Sequence, residues 1–439
     1  MTSALVHREL RQAAGVALLC VCQATLVFAQ QPVPPQPAAP APAPAQSLFA
    51  PPASLAPTAF RYPAAVSGGR LLTSVFGPAR PGFVRQRLTH VPDMFGDSYL
   101  HGQTLSVIQI LSDPANSITA TLDLPVAGGS HLLVAENNKA LPTDRVYVNY
   151  NHFENALLYR VNQTTLLGTS ILDERVSVDR GTFGLEKTFL DGSWSAEIRV
   201  PFVASNDFFF FPNGGVADGI TAVNSSVFGN ISLITKRALY ADDFVVVSTG
   251  LGIELPTGDD AQARVGDFRY TVENDALHLH PYLSALADDG KDWFFNGFLQ
   301  LDVPLSGNEL RTSGIPGTVG TLDDQVLLHV NAGAGYWFCR TAQRTWFTGL
   351  AGLLELHFTQ TLDSTDSVAF GPLSPALIGE RRVELNNRRN HFTLLNLTAG
   401  IHVEITPDTL LRVAAVVPLM SEANRFFDFE PMVQLTRRF

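Results

Sequence analysis

The sequence has little cysteine, little positive charge and no long apolar run beyond its N-terminus. It holds three cysteines in 439 residues, and Cys20 and Cys22 lie in the N-terminal apolar stretch, which leaves Cys339 alone. One cysteine forms no internal disulfide, so a disulfide scaffold is excluded. No run of about 18 apolar residues follows residue 30, which excludes a helical membrane span in the rest of the chain.

The charge balance is acidic and the charge content is low. There are 30 Lys and Arg against 41 Asp and Glu, a formal net charge of −11. A nucleic-acid binder needs a basic face, so no nucleic-acid partner is expected. Charged residues make up 16% of the chain, against roughly 25% in soluble domains. Hydrophobic residues make up 46%, which excludes a disordered chain.

The first 57 residues have the composition of a leader followed by a spacer. Residues 1–29 resemble a secretory signal peptide, because Arg8 and Arg11 flank a mostly apolar stretch, and cleavage is expected before Gln30. Residues 30–57 are rich in proline and alanine, which favours an extended polyproline II spacer in the periplasm. A processing remnant without a role fits the same composition.

Beyond residue 143, apolar and polar residues alternate along many segments. Between Trp194 and Phe202 the apolar residues take every second position, and Ser195, Glu197 and Arg199 lie between them. Side chains alternate across a β-strand, so each such segment has one apolar and one polar face. The pattern predicts twelve strands, near residues 145–156, 173–190, 193–203, 222–237, 241–255, 275–287, 291–304, 325–338, 344–361, 391–405, 408–419 and 425–439.

Strand length and link length favour a membrane barrel over a soluble sandwich. The strands often run to 11–15 residues, and a tilted membrane strand needs about 9–11. Short and long links alternate, as in barrels with short periplasmic turns and long outer loops, except that the link after the eleventh predicted strand is short. Lipid offers no hydrogen bonds, and a closed barrel pairs every backbone group. We therefore expect an all-β fold over residues 144–439: a transmembrane antiparallel up-and-down β-barrel of about 12 strands, with 14 possible, in the lipid of the bacterial outer membrane.

The last predicted strand ends in an aromatic residue. Phe439 closes the sequence, and Leu435 and Val433 lie on the same face with polar residues between them. This pattern resembles the C-terminal signal that the β-barrel assembly machinery recognises. The resemblance implies that this machinery is a partner and that Phe439, Leu435 and Val433 form the assembly signal.

Residues 58–143 precede the predicted barrel and are less regular. Three short ordered-looking runs, Val107 to Leu111, Thr119 to Leu124 and Leu132 to Ala135, occur within them. We expect an N-terminal plug-like segment, since lumen plugs occur in barrels. Two other arrangements fit as well: two further barrel strands, or a separate periplasmic element.

Two blocks of sequence resemble known outer-membrane barrels. Val245 to Asp260, VVVSTGLGIELPTGDD, resembles a recurrent segment of the phenol-degradation MetA-pathway and FadL-like transporters. Leu122 to Leu157, with Gly181 to Ser193 downstream, resembles uncharacterised outer-membrane barrels. The resemblance implies passage of small or hydrophobic solutes.

The polar faces of the predicted strands place charged residues toward the lumen. A barrel of this size has a filled or wet lumen, so polar residues are expected there. Two interpretations fit: a selectivity lining, in which opposed charges set a transverse field, or a salt-bridged filling. The candidate lumen-lining residues are Glu186, Glu197, Arg199, Glu254, His278, His280, Asp302, Glu355, His357, His402, Glu404 and Arg412.

One pair of histidines has the spacing of possible metal ligands. His278 and His280 lie on one strand face, roughly 7 Å apart by strand geometry. Glu355, His357 or His402 are the candidate further ligands on other strands. A metal needs three or four convergent ligands, and the sequence fixes only two. No metal and no cofactor is therefore expected.

A predicted outer loop carries four consecutive phenylalanines, Phe208, Phe209, Phe210 and Phe211. They fit a hydrophobic capture site at the mouth of the barrel. They also fit simple packing against the barrel rim.

No catalytic motif is present in the sequence. Neither Gly-x-Ser-x-Gly nor His-Glu-x-x-His occurs, so no enzyme and no catalytic residue is expected. The expected function is a porin-like or FadL-like channel for small or hydrophobic solutes of unknown identity. The alternative is a structural or envelope-tethering barrel with an occluded lumen.

Overall fold

The computed structural model describes residues 86–97, 102–110, 117–125, 128, 131–205, 208–210, 220–222, 226–265, 268–341, 347–371, 380–387, 391–421 and 424–439. The predicted signal peptide, the predicted spacer and residues 58–85 lie outside these ranges. Within them, no helix is long and apolar enough to cross a membrane.

The described part of the chain is almost entirely β-structure. Its elements are α1 (Gln86–Thr89), β1 (Gly102–Ile110), β2 (Ser117–Pro125), β3 (Arg145–Thr165), β4 (Gly168–Phe189), β5 (Trp194–Ser205), β6 (Phe208–Phe210), β7 (Ile220–Ala222), β8 (Ser226–Phe228), β9 (Ser232–Ala241), β10 (Val245–Glu254), β11 (Ala261–Val265), β12 (Phe268–Val272), β13 (His278–Asp288), β14 (Trp293–Pro304), β15 (Asn308–Thr312), β16 (Ile315–Leu322), β17 (Leu327–Arg340), β18 (Gly349–Thr361), β19 (Ser367–Phe370), β20 (Glu380–Asn387), β21 (Thr393–Thr406), β22 (Thr409–Pro418) and β23 (Glu430–Arg438).

Twelve of these strands close into an antiparallel barrel. Around the ring they are β3, β4, β5, β9, β10, β13, β14, β17, β18, β21, β22 and β23. The ladder between β23 and β3, from Arg438 beside Arg145 to Met432 beside Asn151, closes the ring. The prediction of a twelve-strand barrel is confirmed. The fourteen-strand alternative does not hold, because β1 and β2 pair outside the ring.

The two ends of the barrel differ in their connections. At one end, called the turn end, short segments such as 190–193, 242–244 and 407–408 join neighbouring strands. At the other end, called the loop end, the connections carry further strands, as β11 and β12 do between β10 and β13. Short turns mark the periplasmic end of outer-membrane barrels.

The hairpin of β3 and β4 is longer than the sequence pattern predicts. The pattern predicts a loop between residues 157 and 172, but the two strands continue to a two-residue turn at Leu166 and Leu167. Residues 168–175 are all exposed, so no buried face marks them as strand. Their conformation is set by the ladder with β3.

Further strands cover the loop end. β2 pairs with the outer part of β3, where Leu122 lies beside Tyr159, and β1 pairs with β20. A separate six-stranded sheet runs in the order β16, β15, β12, β11, β7 and β6. Apolar side chains from both groups, among them Leu105 and Tyr270, belong to one buried hydrophobic cluster. The loop end is therefore packed with folded structure.

The barrel wall is apolar outside and polar inside. Outward side chains such as Leu354 and Ile401 are more than half exposed, at 54% and 52%, whereas their neighbours Glu355 and His402 point inward and are buried. An apolar outer face suits contact with lipid hydrocarbon, and a closed ladder leaves no unpaired backbone there.

Aromatic side chains gather outside the barrel at the turn end. They are Phe189, Phe244, Trp293, Phe338 and Phe439, all exposed. Aromatic residues are enriched where a membrane protein crosses from hydrocarbon to headgroups. Their position marks the turn end as one membrane boundary.

We expect Leu354→Arg to weaken the barrel in a bilayer and Leu167→Arg to leave it intact. Leu354 lies midway along β18 on the lipid face, where an arginine costs about 2–4 kcal/mol. Leu167 is fully exposed in the β3–β4 turn, so the same substitution meets water there. Urea unfolding in lipid vesicles measures both. Equal losses would contradict the assignment of the outer face to lipid.

Candidate functional site

Two segments that belong to no sheet lie inside the barrel. Residues 88–97 and 131–144, called the first and second inner segments, pack against inward side chains of the wall. They run antiparallel and meet in one isolated β-bridge between Met94 and Asn138. Both of those residues are completely buried. The plug-like role expected for residues 58–143 stays a prediction.

Wall side chains hold the first inner segment by its backbone. Glu355 of β18 accepts hydrogen bonds from the backbone N–H groups of Phe95 (2.8 Å) and Gly96 (3.1 Å). Gln434 of β23 donates to the backbone oxygen of Phe95 at 3.0 Å. The guanidinium of Arg412 lies 4.3 Å from the centre of the Phe95 ring. Side chains of three strands, β18, β22 and β23, thus contact one short stretch of the first inner segment.

The second inner segment is held in the same way. The Gln300 side chain of β14 donates to the backbone oxygen of Leu132 at 2.8 Å and accepts from the backbone N–H of Val134 at 2.8 Å. Arg199 of β5 donates to the backbone oxygens of Leu133 (2.9 Å) and Val134 (3.3 Å). These wall residues satisfy backbone groups that have no ladder partner, which buried backbone requires.

A buried charge cluster joins the two inner segments to the wall. Asp93 Oδ2 lies 3.2 Å from Arg145 Nη1, and Asp93 Oδ1 lies 3.5 Å from Lys139 Nζ. Burial raises the pKa of Asp93, but Lys139, Arg145 and Arg412 lower it by more, so it lies well below its usual value. Burial lowers the pKa of Lys139 to about 7, with Asp93 opposing. Asp93 is therefore an ionised counter-ion for the wall arginines.

Gly96 allows the two inner segments to touch. Its φ is +80°, and a Cβ there would lie 2.4 Å from Glu136 Cα. Any other residue would be strained in φ and would push the second inner segment away. Glu136 in turn pairs with Arg180 of β4, so the contact is continuous with the wall.

All twelve candidate lumen-lining residues lie on the inner face and are buried. Those with a hydrogen bond to the inner segments include Glu186, Arg199, Glu254, Glu355, Glu404 and Arg412. Glu186 and Glu197 also flank Arg145, at 2.7 Å and 3.6 Å. A role in selectivity stays a prediction for all twelve, since in this arrangement their neighbours are the inner segments.

The inward histidines fall into separate groups. His278 and His280 meet Asp302, and His278 Nδ1 lies 2.7 Å from Asp302 Oδ1. The suggested further ligands lie elsewhere. His357 Nε2 lies 3.3 Å from Glu355 Oε2, and the His402 ring packs against Trp337. Glu404 Oε1 lies 3.2 Å from Nδ1 of His90, a residue of the first inner segment.

Sequence reasoning missed several inward residues that contact the inner segments, among them Gln434 and Arg180 as well as the three described next. Arg145 contacts Asp93, Gln300 holds the second inner segment, and Lys236 Nζ donates to Asn138 Oδ1 (2.7 Å) and Glu186 Oε1 (3.0 Å). The sequence did indicate an inward position for Gln300, because Gln300 lies two residues from Asp302 and therefore on the same strand face. The alternation along a strand identifies which side chains point inward, but it does not identify the residues that they contact.

The phenylalanine run lies at the loop end. Phe208, Phe209 and Phe210 form β6, which pairs with β7 at the edge of the six-stranded sheet. Phe211 falls outside the described residues. A cavity of about 410 Å³ is lined by residues of the outer wall near this end, among them Gly181 and Phe202. The proposed capture role of the phenylalanines stays a prediction.

The residues of the predicted assembly signal face outward. Phe439, Leu435 and Val433 are exposed by 62%, 48% and 41%, while Gln434 and Thr436 between them are buried. The apolar stripe of the last strand is therefore on the lipid side, where an assembly factor has access to it.

No protein-family model matches the sequence, and no curated protein matches it. Among solved structures, the COG4313 outer membrane channel from Pseudomonas putida F1 is 13% identical, with a TM-score of 0.44, covering 69% of this chain and 97% of that chain. The toluene transporter TodX of P. putida is 10% identical, with a TM-score of 0.34, covering 83% and 97%. The NanC porin is 8% identical, with a TM-score of 0.35, covering 67% and 98%.

At this identity and TM-score, these likenesses carry no argument. The closed ladder and the apolar outer face are this chain's own features. The chain is a bacterial outer-membrane β-barrel protein.

Proposed function

We propose that the protein is an outer-membrane channel for small solutes, and that the inner segments are its plug. The wall supplies a continuous polar inner face, as a water-filled path needs. The plug occupies that path and closes it. Solutes pass when the plug shifts, and the charged wall residues then line the path.

The observation that carries this proposal is the way the plug is attached. The inner segments share one isolated bridge with each other and no ladder with the wall. Hydrogen bonds from wall side chains and the ion pairs of Asp93 hold them instead. No β-ladder has to break for the inner segments to leave the wall. A neutral hydrogen bond is worth about 0.5–1.5 kcal/mol net, and one to a charged group about 1.5–3 kcal/mol. A purely structural barrel is filled more simply by its own wall side chains.

The loop end fits small or hydrophobic solutes. Its strands enclose a buried apolar cluster, and the edge strand β6 carries the phenylalanine run. A solute with apolar surface would find contacts there before it reaches the polar lumen. The capture role predicted for Phe208, Phe209, Phe210 and Phe211 belongs to this proposal.

A reversible cross-link between plug and wall tests the proposal. A Cβ built on Gly252 of β10 lies 3.5 Å from Val134 Cγ2, close to disulfide reach. The end of Leu132 (2.8 Å) must shift to admit it, and His280 Cβ (3.1 Å) must move by a few tenths of an ångström. We expect Val134→Cys with Gly252→Cys, in a Cys339→Ser background, to be silent in planar bilayers when oxidised. After reduction it should conduct in discrete steps.

The two single-cysteine variants are the matched controls, and reduction should leave their currents unchanged. A reduced double variant that stays silent, although folded, would overturn the channel proposal. That outcome would favour the structural barrel with an occluded lumen.

A further inference from the structure

Three imidazoles and a carboxylate meet where the second inner segment begins. His278 and His280 lie on the inner face of β13, and Asp302 lies beside them on β14. His131, the first described residue of the second inner segment, faces this group from the lumen side. All four are buried, with at most 9% of the surface of any one exposed.

Three of these residues hold potential ligand atoms close together. His278 Nδ1 lies 2.7 Å from Asp302 Oδ1, and His131 Nδ1 lies 3.5 Å from Asp302 Oδ2. One ligand atom from each of these three residues lies within 4.8 Å of the others. Ligands at about 2.0–2.2 Å from a tetrahedral zinc ion are roughly 3.3 Å apart. Small side-chain rotations bring the three donors to that spacing.

The neighbouring groups extend the same arrangement. Asp324 Oδ2 lies 3.3 Å from His278 Nε2, so a carboxylate orients the second nitrogen of this imidazole, as metal-binding histidines require. His280 Nδ1 lies 3.7 Å from Asp302 Oδ1, but it accepts a hydrogen bond from Gln300 Nε2 at 3.2 Å, so it stays outside the donor set. Within the described residues, Asp302 Oδ2 accepts no hydrogen bond.

The ion-pair partners of Asp302 in the described part of the chain are all histidines, whereas Asp93 and Glu186 pair with arginine and lysine. His278 lies between two carboxylates, with Nδ1 2.7 Å from Asp302 and Nε2 3.3 Å from Asp324. A dication at this point takes the place of the proton that His278 shares with Asp302, and it brings more positive charge to the carboxylates.

We propose that His131, His278 and Asp302 bind a divalent transition-metal ion, zinc by ligand type, which fastens the second inner segment to β13 and β14. Two imidazoles and a carboxylate suit zinc, whereas all-oxygen sets suit magnesium and calcium. Asp324 is a positioning residue, because it reaches the metal only through His278. The site stands whether or not the barrel conducts.

Metal titration of the full-length protein in detergent tests this proposal. After chelator treatment, we expect the protein to bind one equivalent of Zn²⁺ by calorimetry and to give the visible absorption of tetrahedral Co²⁺. His131→Gln should abolish the Co²⁺ spectrum, and Asp324→Asn should weaken affinity about 10–100-fold. His402→Gln is the matched control, a buried inward histidine on β21 outside the group, and it should bind as the parent does.

Folding is checked in each variant by the heat-dependent shift in gel mobility that closed barrels show. His131 belongs to an inner segment and not to a barrel strand, so its substitution leaves the ring intact; Asp302→Asn gives the same test from the wall side. A folded parent that binds neither ion overturns the proposal. Undiminished binding by both ligand variants does so as well.

Discussion

A variant in which the signal peptide is followed directly by residues 144–439 is expected to carry a steady current on the order of tenfold or more above that of the full chain. The deletion removes both inner segments and the β1–β2 hairpin and keeps all twelve barrel strands. Inward residues such as Gln300 and Arg199 would then face water. Single-channel recording in planar bilayers measures the difference.

The same deletion exposes the predicted selectivity residues. In that background, Arg199→Ala should raise the preference for cations, and Glu254→Ala should lower it, because each removes one fixed charge from the path. Reversal potentials in a salt gradient give the result. The full chain with its plug is the reference. If the deletion variant folds but carries no current, the strands at the loop end close the lumen. If neither substitution changes the selectivity, Arg199 and Glu254 do not line the path.

The inner and outer faces of the barrel wall could be predicted because each side chain of a strand points either inward or outward. On β5, the alternation around Ile198 assigns Glu197 and Arg199 to the inside, and both are buried there. One register error would have moved every polar side chain into lipid, so the pattern is strongly constrained. The same constraint explains why all twelve barrel strands follow from the sequence.

The interior was not open to prediction, because its contacts join distant parts of the chain. Residues 131–144 show no strand or helix period, and their path is set by partners such as Gln300 and Arg145. The group formed by His131, His278 and Asp302 has the same origin, since no spacing in the sequence links an inner segment to β13. The outer half of β4 could not be predicted as a strand for another reason. Ile171 and its neighbours have no buried face, so their sequence shows no alternation of apolar and polar residues.

Among the interior residues, Arg145 is the one whose substitution should lower the free energy of unfolding most. Its guanidinium lies among three buried carboxylates, those of Asp93, Glu186 and Glu197, and Nη1 also donates to the backbone oxygen of Asn137 at 2.6 Å. Removing one partner of a buried ion pair costs about 3–5 kcal/mol, because the remaining charges stay buried. We expect Arg145→Met to lower the free energy of unfolding by that amount.

Arg160→Met is the matched control, because the same strand offers the same pairing at the surface. Arg160 Nε lies 2.7 Å from Asp173 Oδ1, yet both side chains are more than 40% exposed. Exposed pairs contribute about 0–1 kcal/mol, so this loss should be small. Urea unfolding in lipid vesicles, followed by tryptophan fluorescence, compares the two. Equal losses would mean that water reaches Arg145, and that the inner segments do not seal the lumen at the level of Asp93.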